Sequence, residues 1–115
     1  MTIHGVLVID KSIPTFSDTT ATITLEDVGR IDAGADVIHR EILHNISHTD
    51  GEKTEVEFKF DCKASDDSHP KYNLRAHVDV TGSGDVEVGD LVTQQSYPVH
   101  PEASRKHELR VKNVS

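Results

Sequence analysis

The stretch Tyr72-Asn73-Leu74-Arg75-Ala76-His77-Val78-Asp79-Val80 alternates apolar and polar side chains without a break. Successive side chains of an extended chain point to opposite faces. This run therefore puts Tyr72, Leu74, Ala76, Val78 and Val80 on a dry face and Asn73, Arg75, His77 and Asp79 on a wet one. A helix would scatter the same residues around its girth. Residues 55–61 repeat the pattern, with Val56, Phe58 and Phe60 opposed to Glu55, Glu57, Lys59 and Asp61.

Working outward, residues 3–9 and 20–25 are rich in β-branched side chains, and the second run buries Ala21, Ile23 and Leu25 while Thr20, Thr22, Thr24 and Glu26 face water. Residues 37–43 are mixed in pattern and could pass for a turn or two of helix, but their β-branched content and the spacing around them favour a strand. Residues 91–97 and 109–114 complete a count of seven strands. Turn formers separate these runs: residues 11–18 with Pro14, 32–36 with Gly34, and 48–52, where Asp50-Gly51 signals a tight turn. Longer polar segments fill 62–71 and 81–90. Seven short strands punctuated in this way predict an all-β fold, a single β-sandwich of about seven mainly antiparallel strands forming one domain over residues 1–115.

Composition narrows the functions open to such a domain. The 115 residues suit one core. Twenty acids against twelve bases give a net charge of −8, a field that repels phosphate backbones and anionic lipid heads, and no basic cluster longer than Arg105-Lys106 offsets it. Nucleic acid is not an expected partner. The longest unbroken apolar run, residues 6–9, falls far short of the roughly 20 residues that span a bilayer, and no basic start followed by an apolar stretch reads as a signal peptide. Cys62 is the single cysteine, so no internal disulfide forms. Three Phe, two Tyr and no Trp leave little for stacking on bases or sugars.

Eight histidines are the compositional oddity. Their closest spacings are His44 with His48 and His39 with His44. The first pair would share a face only on a helix, where this region reads as a strand running into a turn, and the others stand singly. No ligand set with the closed geometry of a zinc site is visible. The acid-rich segments Asp66-Asp67-Ser68-His69 and 85–90 lack the spacing of a calcium loop. No Gly-x-Ser-x-Gly occurs, and Cys62 has no basic neighbourhood to activate it. The chain is thus expected to be a non-enzyme with no cofactor and no catalytic residue. Histidine-based binding of a metal or small ligand is the alternative to a protein-binding role.

Several blocks of the sequence are familiar when read in order: Ile3-His4-Gly5-Val6-Leu7-Val8, Ile13-Pro14, Thr20-Ala21-Thr22-Ile23-Thr24-Leu25-Glu26-Asp27-Val28 with Asp32-Ala33, Val56-Glu57-Phe58-Lys59-Phe60-Asp61, His69-Pro70-Lys71-Tyr72-Asn73-Leu74-Arg75-Ala76-His77-Val78, and Ser96-Tyr97-Pro98-Val99. Together they resemble the YbaY/YscW-like family of bacterial envelope lipoproteins, some of which act as pilotins for type III secretion. The resemblance implies a non-catalytic β-sandwich of the cell envelope or periplasm, chaperone-like, binding a partner in the outer membrane or a secretion system. It departs from the family in lacking an export signal and a lipid-bearing cysteine near the start, which implies a trimmed soluble domain or a member without the anchor.

If the domain binds a protein, the wet face of residues 72–80, with Arg75 and His77, is the expected contact surface. The plainer expectation for Arg75 is a cross-strand pair with an acid such as Glu57. Tyr72, Phe58 and Phe60 are expected in the core.

Overall fold

The structure is a computed structural model that describes residues 1–29, 36–63, 71–99 and 106–114. Among them are eight strands: β1 (Thr2–Ile9), β2 (Phe16–Asp27), β3 (Asp36–His48), β4 (Thr54–Asp61), β5 (Tyr72–Asp79), β6 (Leu91–Thr93), β7 (Pro98–Val99) and β8 (His107–Asn113). The fold is all-β, and the alternation in residues 72–80 is realised except at Asn73, expected to face water but buried because it bonds Glu26 and the Tyr97 backbone. Tyr72, Leu74, Ala76 and Val78 of β5 are buried in the core, while Arg75 is exposed and His77 and Asp79 are half-buried on the opposite face.

The strands form one hydrogen-bonded path in the order β3-β2-β5-β6-β8-β1-β4, with β7 paired to β5 beside it. All pairs are antiparallel except β1 with β8, which is parallel. The path rolls on itself, so the two facing layers of the expected sandwich are the two halves of one sheet. Ile23, Leu25, Leu74 and Val78 from the β2–β5 half share a core with Leu7, Ile9, Leu109 and Val111 from the β1–β8 half. Each of these side chains is almost wholly removed from water, which stabilises the fold by roughly 1.5–3 kcal/mol apiece.

Three local departures from the sequence reading have physical causes. First, β2 and β3 run longer than expected, and their register slips between Phe16 and Thr19, Thr19 and Ala21, and Leu25 and Glu26. Asp18 and Asn45 take positive φ (55° and 59°), which their short polar side chains tolerate. Such slips turn side chains from one face to the other, and this accounts for the mixed pattern of residues 37–43, which are strand and not helix. Second, residues 91–97 do not form one strand. β6 stops at Thr93, the chain arches through Gln94–Ser96, and β7 resumes at Pro98, whose missing N–H suits a sheet margin. Third, the Asp50-Gly51 turn forms, with Gly51 at φ 89° and Glu52 N donating to Thr49 O at 3.0 Å, yet β3 and β4 on either side of it do not pair. They are the two ends of the rolled path.

At the centre of the other half, Gly5 lets β1 and β8 lie close. A Cβ there would collide with the His107 carbonyl oxygen and come within 2.8 Å of Phe58 Cζ. Phe58 and Phe60 of β4 close the core over this point, 4 % and 5 % exposed.

Candidate functional site

Arg75 and His77 stand two residues apart on the outer face of β5, and the structure sends them to different neighbours. Arg75 Nε donates to Glu26 Oε1 at 2.6 Å. Glu26, expected to face water, instead lies almost fully buried on β2 opposite Asn73, its carboxylate satisfied by Arg75 and by a second hydrogen bond from Asn73 Nδ2 at 3.2 Å. The cross-strand pair expected for Arg75 therefore exists, with a different acid. Glu57 sits on β4, at the far end of the path from β3, and accepts from Lys106 Nζ at 2.7 Å. β5 has β2 as its neighbour, a fact of strand order that alternation within β5 does not encode.

His77 turns toward the 81–90 loop. Its Nε2 lies 2.9 Å from Asp90 Oδ2, and Asp90 has no exposed surface. Thr81 N donates to Asp90 Oδ1 at 2.9 Å and Glu87 N to Oδ2 at 3.1 Å. Burial alone would push this carboxyl up, but the hydrogen bonds from His77, Thr81 and Glu87 outweigh it and hold Asp90 at a pKa of about 2. Asp79 clamps the other side of the same loop, accepting from Gly82 N at 3.1 Å and Gly84 N at 2.9 Å. Nothing in the sequence of this acid-rich loop marks Asp90 as the residue that turns inward.

His77, Asp79 and Asp90 offer ligand atoms within 4.8 Å of one another. Asp79 and Asp90 already accept from the loop's backbone N–H groups and His77 Nε2 is hydrogen-bonded to Asp90, so the arrangement acts as a loop clamp. The remaining described histidines are dispersed. His48 is buried and bridges Thr54 Oγ1 (2.6 Å) and Ile13 O (3.0 Å), tying the end of β3 to the start of β4. His107 Nδ1 lies 3.1 Å from His4 O across the parallel pair. His44 is exposed, and His69, His100 and the Asp66-Asp67-Ser68-His69 segment lie outside the described residues. The spacings His39–His44 and His44–His48 thus bring no ligand set together. Cys62 is half-buried, and burial pushes its thiol pKa up, away from the reactive thiolate.

What the sequence did not show is the seam between β3 and β4. Among the described residues each is an outermost strand of the path, paired on one side only, β3 with β2 and β4 with β1. At one end the seam is held by the His48–Thr54 hydrogen bond. Farther along it is bridged by rings: His39 of β3 stacks on Phe60 of β4, centroids 4.4 Å apart and planes at 19°. His39 Nε2 also lies 3.1 Å from Glu41 Oε1 on the same strand. The register places His39 opposite Leu25 and Glu41 opposite Ile23, so this polar pair belongs to the inward-facing row. Outward on the same strand, Val37 and Ile42 are 44 % and 53 % exposed. Charged side chains pointing inward on an edge strand guard it against unselective pairing.

A second feature lies where β6 and β7 part. Asn73, Arg75, Thr93, Gln94, Gln95 and Ser96 line a polar cleft of about 280 Å³ over the middle of β5. Among the described residues no helix is long and apolar enough to cross a membrane.

No protein-family profile matches this chain, and no curated protein matches it. Among solved structures, that of an alternative pilotin from the type II secretion system of Vibrio cholerae is similar, with a TM-score of 0.68 at 23 % sequence identity, over 99 % of this chain and 98 % of that one. The fold is therefore pilotin-like along its full described length.

Proposed function

We propose that this chain is a non-catalytic, chaperone-like protein-binding module of the bacterial cell envelope that receives an extended segment of a partner along the β3–β4 seam. The observation that carries the reading is the pair of strand edges left unjoined in an otherwise rolled sheet. Such edges present backbone N–H and C=O groups to an incoming strand, whose alternate side chains then meet the exposed Val37 and Ile42. Away from the His48–Thr54 hydrogen bond the seam is bridged by the His39–Phe60 stack, so a guest strand entering there displaces a ring contact and no ladder hydrogen bond.

The fold shared with a secretion-system pilotin supports a partner in the outer membrane or a secretion apparatus, and a periplasmic or envelope setting. The resemblance to envelope lipoproteins in the sequence points the same way. A histidine-based metal or small-ligand role has no comparable support, since the described histidines are spread over several strands and engaged with neighbours.

The test is affinity capture from the source organism's envelope, repeated with Ile42→Lys, followed by hydrogen exchange on the captured complex. The expected result is an outer-membrane or secretion-system protein that protects the amides of β3 and β4 and is lost with Ile42→Lys. Capture unaffected by Ile42→Lys, with protection elsewhere on the sheet, would count against the seam.

A further inference from the structure

We propose that the cleft beside Arg75 is a binding site for a carboxylate, supplied by the C-terminus or an acidic side chain of a peptide. This goes beyond the seam reading and does not rest on it, because the cleft lies over β5 and the seam between β3 and β4.

The cleft exists because β5 changes neighbours. His77 and Val78 pair with β6, whereas Tyr72 and Asn73 pair with β7. Between those pairings the 94–96 arch leaves the sheet surface, and its ends are pinned. Ala76 N donates to Thr93 Oγ1 at 3.2 Å, Leu74 N to Tyr97 O at 3.0 Å, and Tyr97 N to Asn73 Oδ1 at 2.8 Å. Gln94 Nε2 is tied to Asn113 O at 3.1 Å. The rim is thus built onto the sheet, which lowers the entropic cost of binding.

Arg75 supplies the charge. Its Nε is held by Glu26, a carboxylate almost without exposed surface, and this fixes the plane of the guanidinium at the floor of the cleft. Its side chain is still 65 % exposed, and among the described residues its two Nη groups make no hydrogen bond. A guanidinium carries five N–H donors in a fork that matches a carboxylate, and one bond to Glu26 leaves the outer edge of that fork available. The rest of the lining is neutral: the amides of Asn73, Gln94 and Gln95 and the hydroxyls of Thr93 and Ser96. Among the described residues no acid lines the cleft to repel an anion. The chain's net charge of −8 disfavours anions at long range, so a carboxylate is held here by contact geometry.

The test uses three capped tripeptide probes titrated into the whole, isotope-labelled chain and followed by NMR. They are acetyl-Ala-Ala-Ala with a free C-terminus, the same peptide amidated, and acetyl-Ala-Glu-Ala amide. The expected result is saturable shifts of the Arg75 Nε–H signal and of the amides at Thr93, Gln94, Gln95 and Ser96, produced by at least one carboxylate probe and not by the amidated trialanine. Response to the first probe alone assigns the site to C-termini, and response to the third alone assigns it to acidic side chains. Response to both assigns it to carboxylates of either origin. Gln95→Glu puts a like charge in the cleft while leaving the Arg75–Glu26 pair intact, and it is expected to weaken binding roughly tenfold or more with no change in melting temperature. Arg75→Lys, which keeps the charge but not the fork, is expected to weaken it as well. Absence of shifts in the cleft with every probe at tens of millimolar, or equal shifts with the amidated control, overturns the proposal.

Discussion

Nε2 of His77 lies 2.9 Å from Oδ2 of Asp90, a carboxylate with no exposed surface, and the contact joins the wet face of β5 to the 81–90 loop. The hydrogen bonds that lower the Asp90 pKa from 3.8 to about 2 also give the sign of its contribution to stability. A depressed folded-state pKa stabilises the fold above the unfolded value, and the contribution is lost as pH falls from about 4 toward about 2. Asp90→Asn is expected to cost roughly 1–3 kcal/mol near neutral pH, since an amide cannot accept at both positions. Urea unfolding of both proteins should show the gap closing across that acidic window. A gap that persists unchanged at the acidic end would mean that the ionised form of Asp90 is not what matters.

Gly5 and Phe58 make a second test, of the parallel β1–β8 contact. Phe58→Ala is expected to destabilise the chain by roughly 3–5 kcal/mol through the cavity it leaves. Gly5→Ala adds a methyl group that meets the His107 carbonyl as well as the Phe58 ring. A ring can yield, but a backbone oxygen in a ladder cannot. The double variant is therefore expected to be no more stable than Phe58→Ala alone. Recovery of stability in the double variant, measured by thermal unfolding, would show that ring crowding and not backbone approach sets the need for glycine.

The Arg75–Glu26 pair differs from the surface pairs around it. Lys53–Glu55 and Lys106–Glu57 are exposed on both sides, and replacing either lysine by alanine is expected to leave the melting temperature unchanged. Arg75→Ala instead leaves the buried Glu26 with Asn73 as its remaining hydrogen-bond donor. A loss of roughly 1–2 kcal/mol is expected, moderated by the exposure of the guanidinium. Adding Glu26→Gln to Arg75→Ala should recover part of it, because the neutral amide no longer buries a charge. Equal effects at Arg75 and Lys53 would place Glu26 in water.

His39→Ala removes the ring that bridges the seam. The stacked contact is worth about 0.5–1.5 kcal/mol, and its loss is expected to act locally. Amide exchange should accelerate at the free edge of β4 while β1 and β2, each paired on both sides, keep their protection. Uniform acceleration over all strands would mean that the stack supports the whole fold rather than the seam.

Much of this was legible in particular residues. The alternation through Tyr72, Leu74, Ala76 and Val78 and through Phe58 and Phe60 placed those side chains in the core, and there they are. Asp50-Gly51 marked a turn correctly, because positive φ is a local demand that glycine meets. The identity of the acid that pairs with Arg75 was not legible. Glu26 and Glu57 look alike in sequence, and only strand order sets one beside Arg75. Residues 91–97 looked like one strand for a related reason: their apolar content does not reveal that Gln94–Ser96 leaves the sheet. Asp90 gave no sign of its burial because its partners, His77, Thr81 and Glu87, are brought to it by a loop closure.

The amino-acid sequence by itself determined the regularly alternating strands β4 and β5, which of their apolar side chains turn inward, and the all-β class, because a two-residue alternation is a property of the extended chain and needs no neighbour. The tertiary structure alone decided which strands adjoin, that among the described residues β3 and β4 are left as free edges, and which partner each polar side chain of β5 finds. An alternating strand fits many neighbours equally well through its backbone. The choice among them is made by long-range packing, here by Gly5 admitting β8 beside β1 and by the core that closes over Phe58 and Phe60.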